Sequence, residues 1–123
     1  MKTPIVRSVF VAFAAAFLLT PLLHASDPSK MVGTWDLVAQ TPDGDRASVL
    51  TITEAGGELE VQMSMQGVDR RVTDAKIEGD VFQMTVHVDG VAYDVEANVD
   101  GDTFEGTFSG IDASGTLKAT RRP

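Results

Sequence analysis

Seven turn signals punctuate the chain from Thr41 to Gly115 at nearly even spacing, which leaves room for short strands and little else. They fall at Thr41-Pro42-Asp43-Gly44-Asp45, Ala55-Gly56-Gly57, Gln66-Gly67, Glu78-Gly79-Asp80, Asp89-Gly90, Asp100-Gly101-Asp102 and Ile111-Asp112-Ala113-Ser114-Gly115. Glycine takes positive φ without steric cost and aspartate tolerates it, so Asp-Gly pairs suit hairpin turns. Seven turns separate eight segments, none with helical periodicity. A spacing of roughly 8–12 residues is the pattern of a small antiparallel sandwich or barrel.

The segments alternate. Leu59, Val61, Met63 and Met65 share one face, and Glu60, Gln62 and Ser64 the other. Phe82, Met84, Val86 and Val88 oppose Gln83, Thr85 and His87, while Val91, Tyr93, Val95, Ala97 and Val99 oppose Ala92, Asp94, Glu96 and Asn98. Phe104, Gly106 and Phe108 likewise face away from Thr103, Glu105, Thr107 and Ser109. Each strand therefore has a dry and a wet face. The pattern is weaker over 47–54, where Leu50 and Ile52 are read as inward, and over 70–78, where Val72 and Ile77 fall on opposite faces; a bulge between those two restores the register.

A one-sided sheet with no helix to cover it must curl on itself, and closure also removes exposed edges. Connections this short favour an eight-stranded up-and-down (meander) barrel over a two-sheet sandwich with Greek-key crossovers. Trp35, the single tryptophan, lies in the first segment with Leu37 and Ala39 on its face; Arg121 shares a face with Leu117 and Ala119 in the last. Where first and last strands meet, indole and guanidinium are placed to stack as a cation–π lid over one end of the core.

Gly33-x-Trp35 opening the first strand, the meander of hairpins and Arg121 in the last strand resemble the calycin group of barrels, which includes lipocalins, fatty-acid-binding proteins and avidins. The resemblance implies a lipocalin-like barrel with Trp35 and Arg121 as structural closure. The chain departs from it in being shorter than a typical lipocalin and in lacking a C-terminal helix, any cysteine and an avidin-like set of polar biotin ligands.

The first 25 residues read as a separate object. Lys2 and Arg7 precede an apolar run from Val9 to Leu19, and the stretch from Thr20 to Ala25 ends on a small residue. This is the form of a secretory signal cut after Ala25, the alternative being an uncleaved anchor; the apolar run falls short of the roughly 20 residues a membrane span needs. Residues 26–31 are then a short polar lead-in and 32–123 one barrel domain, placed in the periplasm or outside the cell. Without Lys2 and Arg7, 8 of the 10 basic residues remain against 18 acidic ones, so the formal charge is 8 − 18 = −10. An acidic chain lacks the basic stripe that phosphate contacts need, which excludes nucleic acid, and an anionic bilayer repels it. No membrane insertion is expected after cleavage.

No catalytic constellation emerges. His24 belongs to the leader, leaving His87 on a wet face, and there is no cysteine, so no nucleophile has a base held against it. Asp43 with Asp45, Asp100 with Asp102, and His87 with Asp89 or Asp94 are loose carboxylate or imidazole groupings that turn chemistry explains, well short of the six to eight oxygens calcium takes. Glu58 with Glu60, and Asp94 with Glu96, sit on solvated faces. Arg70-Arg71 reads as charge flanking a hairpin. A non-enzymatic protein without cofactor or metal is expected.

The interior is the remaining place for function. Its expected lining, from Leu37 and Leu50 through Phe104, Phe108 and Leu117, is apolar apart from Tyr93. Methionines are adaptable and suit a deformable cavity, and an eight-stranded barrel is just wide enough to be filled by its own side chains or to hold one small ligand. Gly106 with the small Ala39, Ala97 and Ala119 is read as leaving space. The expectation is an exported barrel binding a small apolar ligand, with Met63, Met65, Met84, Tyr93 and Phe108 at the ligand. The alternative is a solid-cored interaction or inhibitor module, similar in architecture to some bacterial periplasmic protease inhibitors, that meets a protein partner through its acidic face or hairpin tips.

Overall fold

The computed structural model describes residues 27–123; the predicted leader, 1–25, lies outside them. Eight antiparallel strands follow one another around a closed barrel: β1 (Gly33–Thr41), β2 (Gly44–Ala55), β3 (Glu58–Met65), β4 (Val68–Glu78), β5 (Val81–Val88), β6 (Val91–Asp100), β7 (Thr103–Ser109) and β8 (Ser114–Arg121). Six of the seven connections are two-residue hairpins, and Gly110 to Ala113 form the longer seventh. In Gly56-Gly57, Gln66-Gly67 and Asp89-Gly90 both turn residues have positive φ, the turn whose twist matches that of the flanking strands. The ring closes by pairing β1 with β8, Trp35 aligned with Arg121 and Leu37 with Ala119.

The bulge required between Val72 and Ile77 is present. Thr73 pairs with Thr85 but Lys76 with Gln83, so β4 carries one extra residue, and Asp74 takes φ of 56° there. Ile77 thereby regains the interior, 5% exposed. Pairing between β3 and β4 is confined to Met63–Met65 against Val68–Arg70. Below that hairpin the two strands run on without pairing to each other, and inward-facing Val61 stays partly exposed.

The two ends of the barrel are built differently. At one end the lead-in does more than its polar composition suggests: Pro28–Met31 form a short 3₁₀ helix, capped by Asp27 through Ser29 N–H, and Met31 is fully buried as a plug. Above it pack Trp35, Phe104 and Phe82, with centroids 5.0 Å apart for the first pair and 5.4 Å for the second. Burying a large apolar side chain contributes about 1.5–3 kcal/mol, so this cluster anchors the core.

Gly106 does not leave space. A Cβ built there would lie 1.9 Å from the Glu96 carbonyl oxygen and 2.5 Å from Ala97 Cα. The missing side chain lets β6 press backbone against backbone where the sheet coils.

Candidate functional site

The closed end is fastened by Arg121. Its guanidinium stands 4.3 Å from the centroid of Trp35. It donates from Nη1 to the Val32 carbonyl, from Nη2 to the Lys30 carbonyl at 2.7 Å and from Nε to Asp102 at 2.9 Å. Trp35 Nε1–H donates to the Met31 carbonyl at 2.9 Å, so the indole is satisfied although buried. Gly33, at φ of +143°, leaves room for the Arg121 side chain: a Cβ there would meet Nη1 at 3.2 Å. Lys30 reaches Asp80 at 2.7 Å beside this lid. Lys30 with Asp80 and Arg121 with Asp102 are ion pairs at this end, which the buried Met31 closes as a floor.

The opposite end carries the β1–β2, β3–β4, β5–β6 and β7–β8 turns. Met65, Tyr93, Val72, Val88 and Ala39 point inward yet remain partly exposed, packed on the core below. Phe108 lies edge-on to Tyr93, centroids 6.0 Å apart, and is 8% exposed; Met63, one inward position below Met65, is 4% exposed. Met84 is 2% exposed and aligns with Val95, which in turn aligns with Phe108. Of the five residues expected at a ligand, Tyr93 and Phe108 are in contact, Met65 and Tyr93 remain partly exposed at this end, and Met63, Met84 and Phe108 are buried in the core.

Tyr93 donates its hydroxyl hydrogen to Asp112 at 2.7 Å, pinning the β7–β8 loop over the rim. That bond, with Asp112's charge beside it, raises the phenol above its ordinary value of 10.0, because ionisation would set two negative charges together. Arg46, at the rim on the inward face of β2, lies near enough to act in the opposite direction.

Two polar residues inside this end have no place in the apolar lining read from the sequence. Ser48 aligns with Leu37 on one side and Met65 on the other, is 5% exposed, and its Oγ has no hydrogen-bond partner among the described residues. Arg70 aligns with Met63, so it points into the barrel and is not a mere hairpin-flank charge; its side chain is 20% exposed. Its Nη1 reaches Asp89 at 3.2 Å, while the buried Nε has no partner among the described residues. A buried polar group left unpaired costs about 1–3 kcal/mol, more when charged. The signal was available: Arg70 has the parity of Val72, and Ser48 that of Leu50 and Ile52.

The remaining candidates sit outside the barrel wall. His87 shares a 3.0 Å hydrogen bond with Thr73, Asp94 accepts from Thr85, and Glu96 from Gln83. Among the described residues no three histidine, aspartate or glutamate side chains converge as a metal set.

No protein-family profile matches the chain, and no curated protein matches it. Solved structures do. A redesigned β-barrel aligns with TM-score 0.64 at 14% identity, over 78% of this chain and 94% of the other. A second redesigned barrel, mFAP1 bound to DFHBI, aligns with TM-score 0.59 at 12% identity, over 77% and 97%. Fatty-acid-binding protein 1 of Echinococcus granulosus aligns with TM-score 0.54 at 11% identity, over 77% and 99%. At such identities the likeness is one of fold, and the fold is calycin-like.

Proposed function

We propose that this calycin-type barrel takes up one small apolar molecule through the end that carries Met65, Tyr93 and Phe108, and that it does so after export directed by its first 25 residues. The observation that supports uptake is the contrast between the two ends: a plugged, hydrogen-bonded floor under Trp35, and a mouth where inward apolar side chains remain reachable. Inward apolar surface open to water on a folded barrel is surface a ligand can cover with a gain of about 25 cal/mol per Å². The barrel acts as a binder, not a catalyst, in this reading. Two structural neighbours are consistent with it by name, one a fatty-acid-binding protein and the other bound to DFHBI.

The test is titration with the neutral dye Nile red, together with native mass spectrometry of gently purified protein. A saturable, one-site rise in fluorescence is expected, lost in Met65→Arg with strand content by circular dichroism retained. Uptake undiminished in that variant would sink the assignment of the mouth. A second reading, a solid-cored module that contacts a protein, is favoured by Ile111, 96% exposed at the tip of the β7–β8 loop. Absence of dye uptake and of any co-purifying mass would shift the reading to it.

A further inference from the structure

We infer that Met65 is a modification site: an oxidant of the peroxide class converts its thioether to the sulfoxide in preference to the other methionines, and the new oxygen accepts the hydrogen bond that Ser48 has to give. Ser48 is 5% exposed, and its Oγ is unpartnered among the described residues. Its aligned neighbours are Leu37 on β1 and Met65 on β3, both facing the interior with it. Directly opposite residues of an antiparallel pair hold their Cβ atoms about 4.5–5.5 Å apart, which puts the Met65 side chain within reach of that hydroxyl. Leu37 offers no acceptor, and a thioether sulfur is a weak one, whereas a sulfoxide is polar. Of the two neighbours, Met65 is the one that a chemical change turns into a partner.

The chain has no cysteine, which leaves the polarisable thioethers as its soft nucleophiles. Among the described residues Met31, Met63 and Met84 are buried and Met65 alone of the methionines is partly exposed, next to the exposed Gln66-Gly67 turn. A peroxide therefore reaches its sulfur first. In the step a sulfur lone pair attacks one oxygen of hydrogen peroxide, and the O–O bond breaks as the S–O bond forms. The departing hydroxide takes the proton from the transferred oxygen and leaves as water; sulfur loses two electrons and the peroxide gains them. The modification stands apart from the uptake reading. Its effect on uptake rests on that reading, because a sulfoxide sets a polar group among the side chains that an apolar ligand would meet.

The protein is treated with limiting hydrogen peroxide and mapped by peptide mass spectrometry. Met65 is expected to be oxidised at least about tenfold faster than Met31, Met63 or Met84; equal rates would overturn the selectivity. Ser48→Ala tests the hydrogen bond. Before oxidation it should be no less stable than the parent, since a methyl replaces an unpaired buried hydroxyl. Oxidation should then lower its Tm by at least about twice the loss in the parent, the mark of two coupled groups. Equal losses would overturn the role of Ser48. In Met65→Leu the loss should vanish in both backgrounds, and a loss that persisted would place the effect at another methionine and overturn the assignment. Nile red reads the consequence: oxidation should weaken its binding at least about tenfold in the parent and leave Met65→Leu unchanged. Undiminished binding to the oxidised parent would overturn the effect on uptake. If Nile red does not bind even the untreated protein, the uptake reading falls, and the mass map and Ser48→Ala decide the modification by themselves.

Discussion

Arg121 covers the face of Trp35 at 4.3 Å and, from the same guanidinium, holds the carbonyl oxygens of Val32 and Lys30. One side chain from the last strand thus ties the first strand, the N-terminal 3₁₀ helix and the central aromatic cluster. A cation–π contact and hydrogen bonds to a charged donor add where water is largely excluded.

Arg121→Ala is therefore expected to lower stability by about 2–4 kcal/mol. Arg121→Lys should recover part of it, because an ammonium keeps the charge but cannot span both carbonyls and Asp102. Urea unfolding followed by Trp35 fluorescence checks both. An alanine variant within about half a kcal/mol of the parent, the range of ordinary surface changes, would show that the lid closes nothing.

Met31 makes the second prediction. It is fully buried although its neighbours in the helix are polar. Met31→Ala should cost about 2–5 kcal/mol, the range for a large core side chain cut to a methyl. Trp35 emission should also shift to the red as water reaches the floor. Unchanged emission and stability would mean that the 3₁₀ helix rests on the barrel without plugging it.

The third concerns acid. Arg122 donates to both oxygens of Asp36, at 3.1 Å, 3.0 Å and 2.8 Å, and these bonds hold the Asp36 carboxyl below its ordinary 3.8. A group whose folded value is depressed stabilises the fold above its unfolded value, and loses that contribution as pH falls through the folded one. Asp36→Asn should lower Tm slightly at neutral pH, and the difference should close below 3.8, the ordinary value. Thermal unfolding at neutral and strongly acidic pH checks the sign; a gap that widened in acid would refute it.

The wall of this barrel was legible in the sequence because alternation and turn chemistry are local. Val72 and Ile77 even announced the bulge, since two inward residues five positions apart cannot share a face without one extra residue between them. What could not be read depends on neighbours across the sheet. Met31 stands in four residues too short to show a period. Gly106 suggests room until β6 is seen pressed against it. Arg70 reads as a turn's charge because charge usually lies outside, although its parity with Val72 points inward. The inward set Met65, Tyr93 and Phe108 was legible by alternation, and so was the inward parity of Ser48 and Arg70, which only their polarity argued against.

Seven of the eight ladders join strands that are neighbours along the chain; the eighth, β1 to β8, joins residues as much as 86 apart, as at Trp35 and Arg121. Hairpins can zip one after another from their turns, each closing a short loop, whereas this last seam brings together nearly the full length of the folded domain. Topologically the molecule is a ribbon until that seam forms and a ring afterwards. The Arg121 side chain is the clasp at the point where ribbon becomes ring.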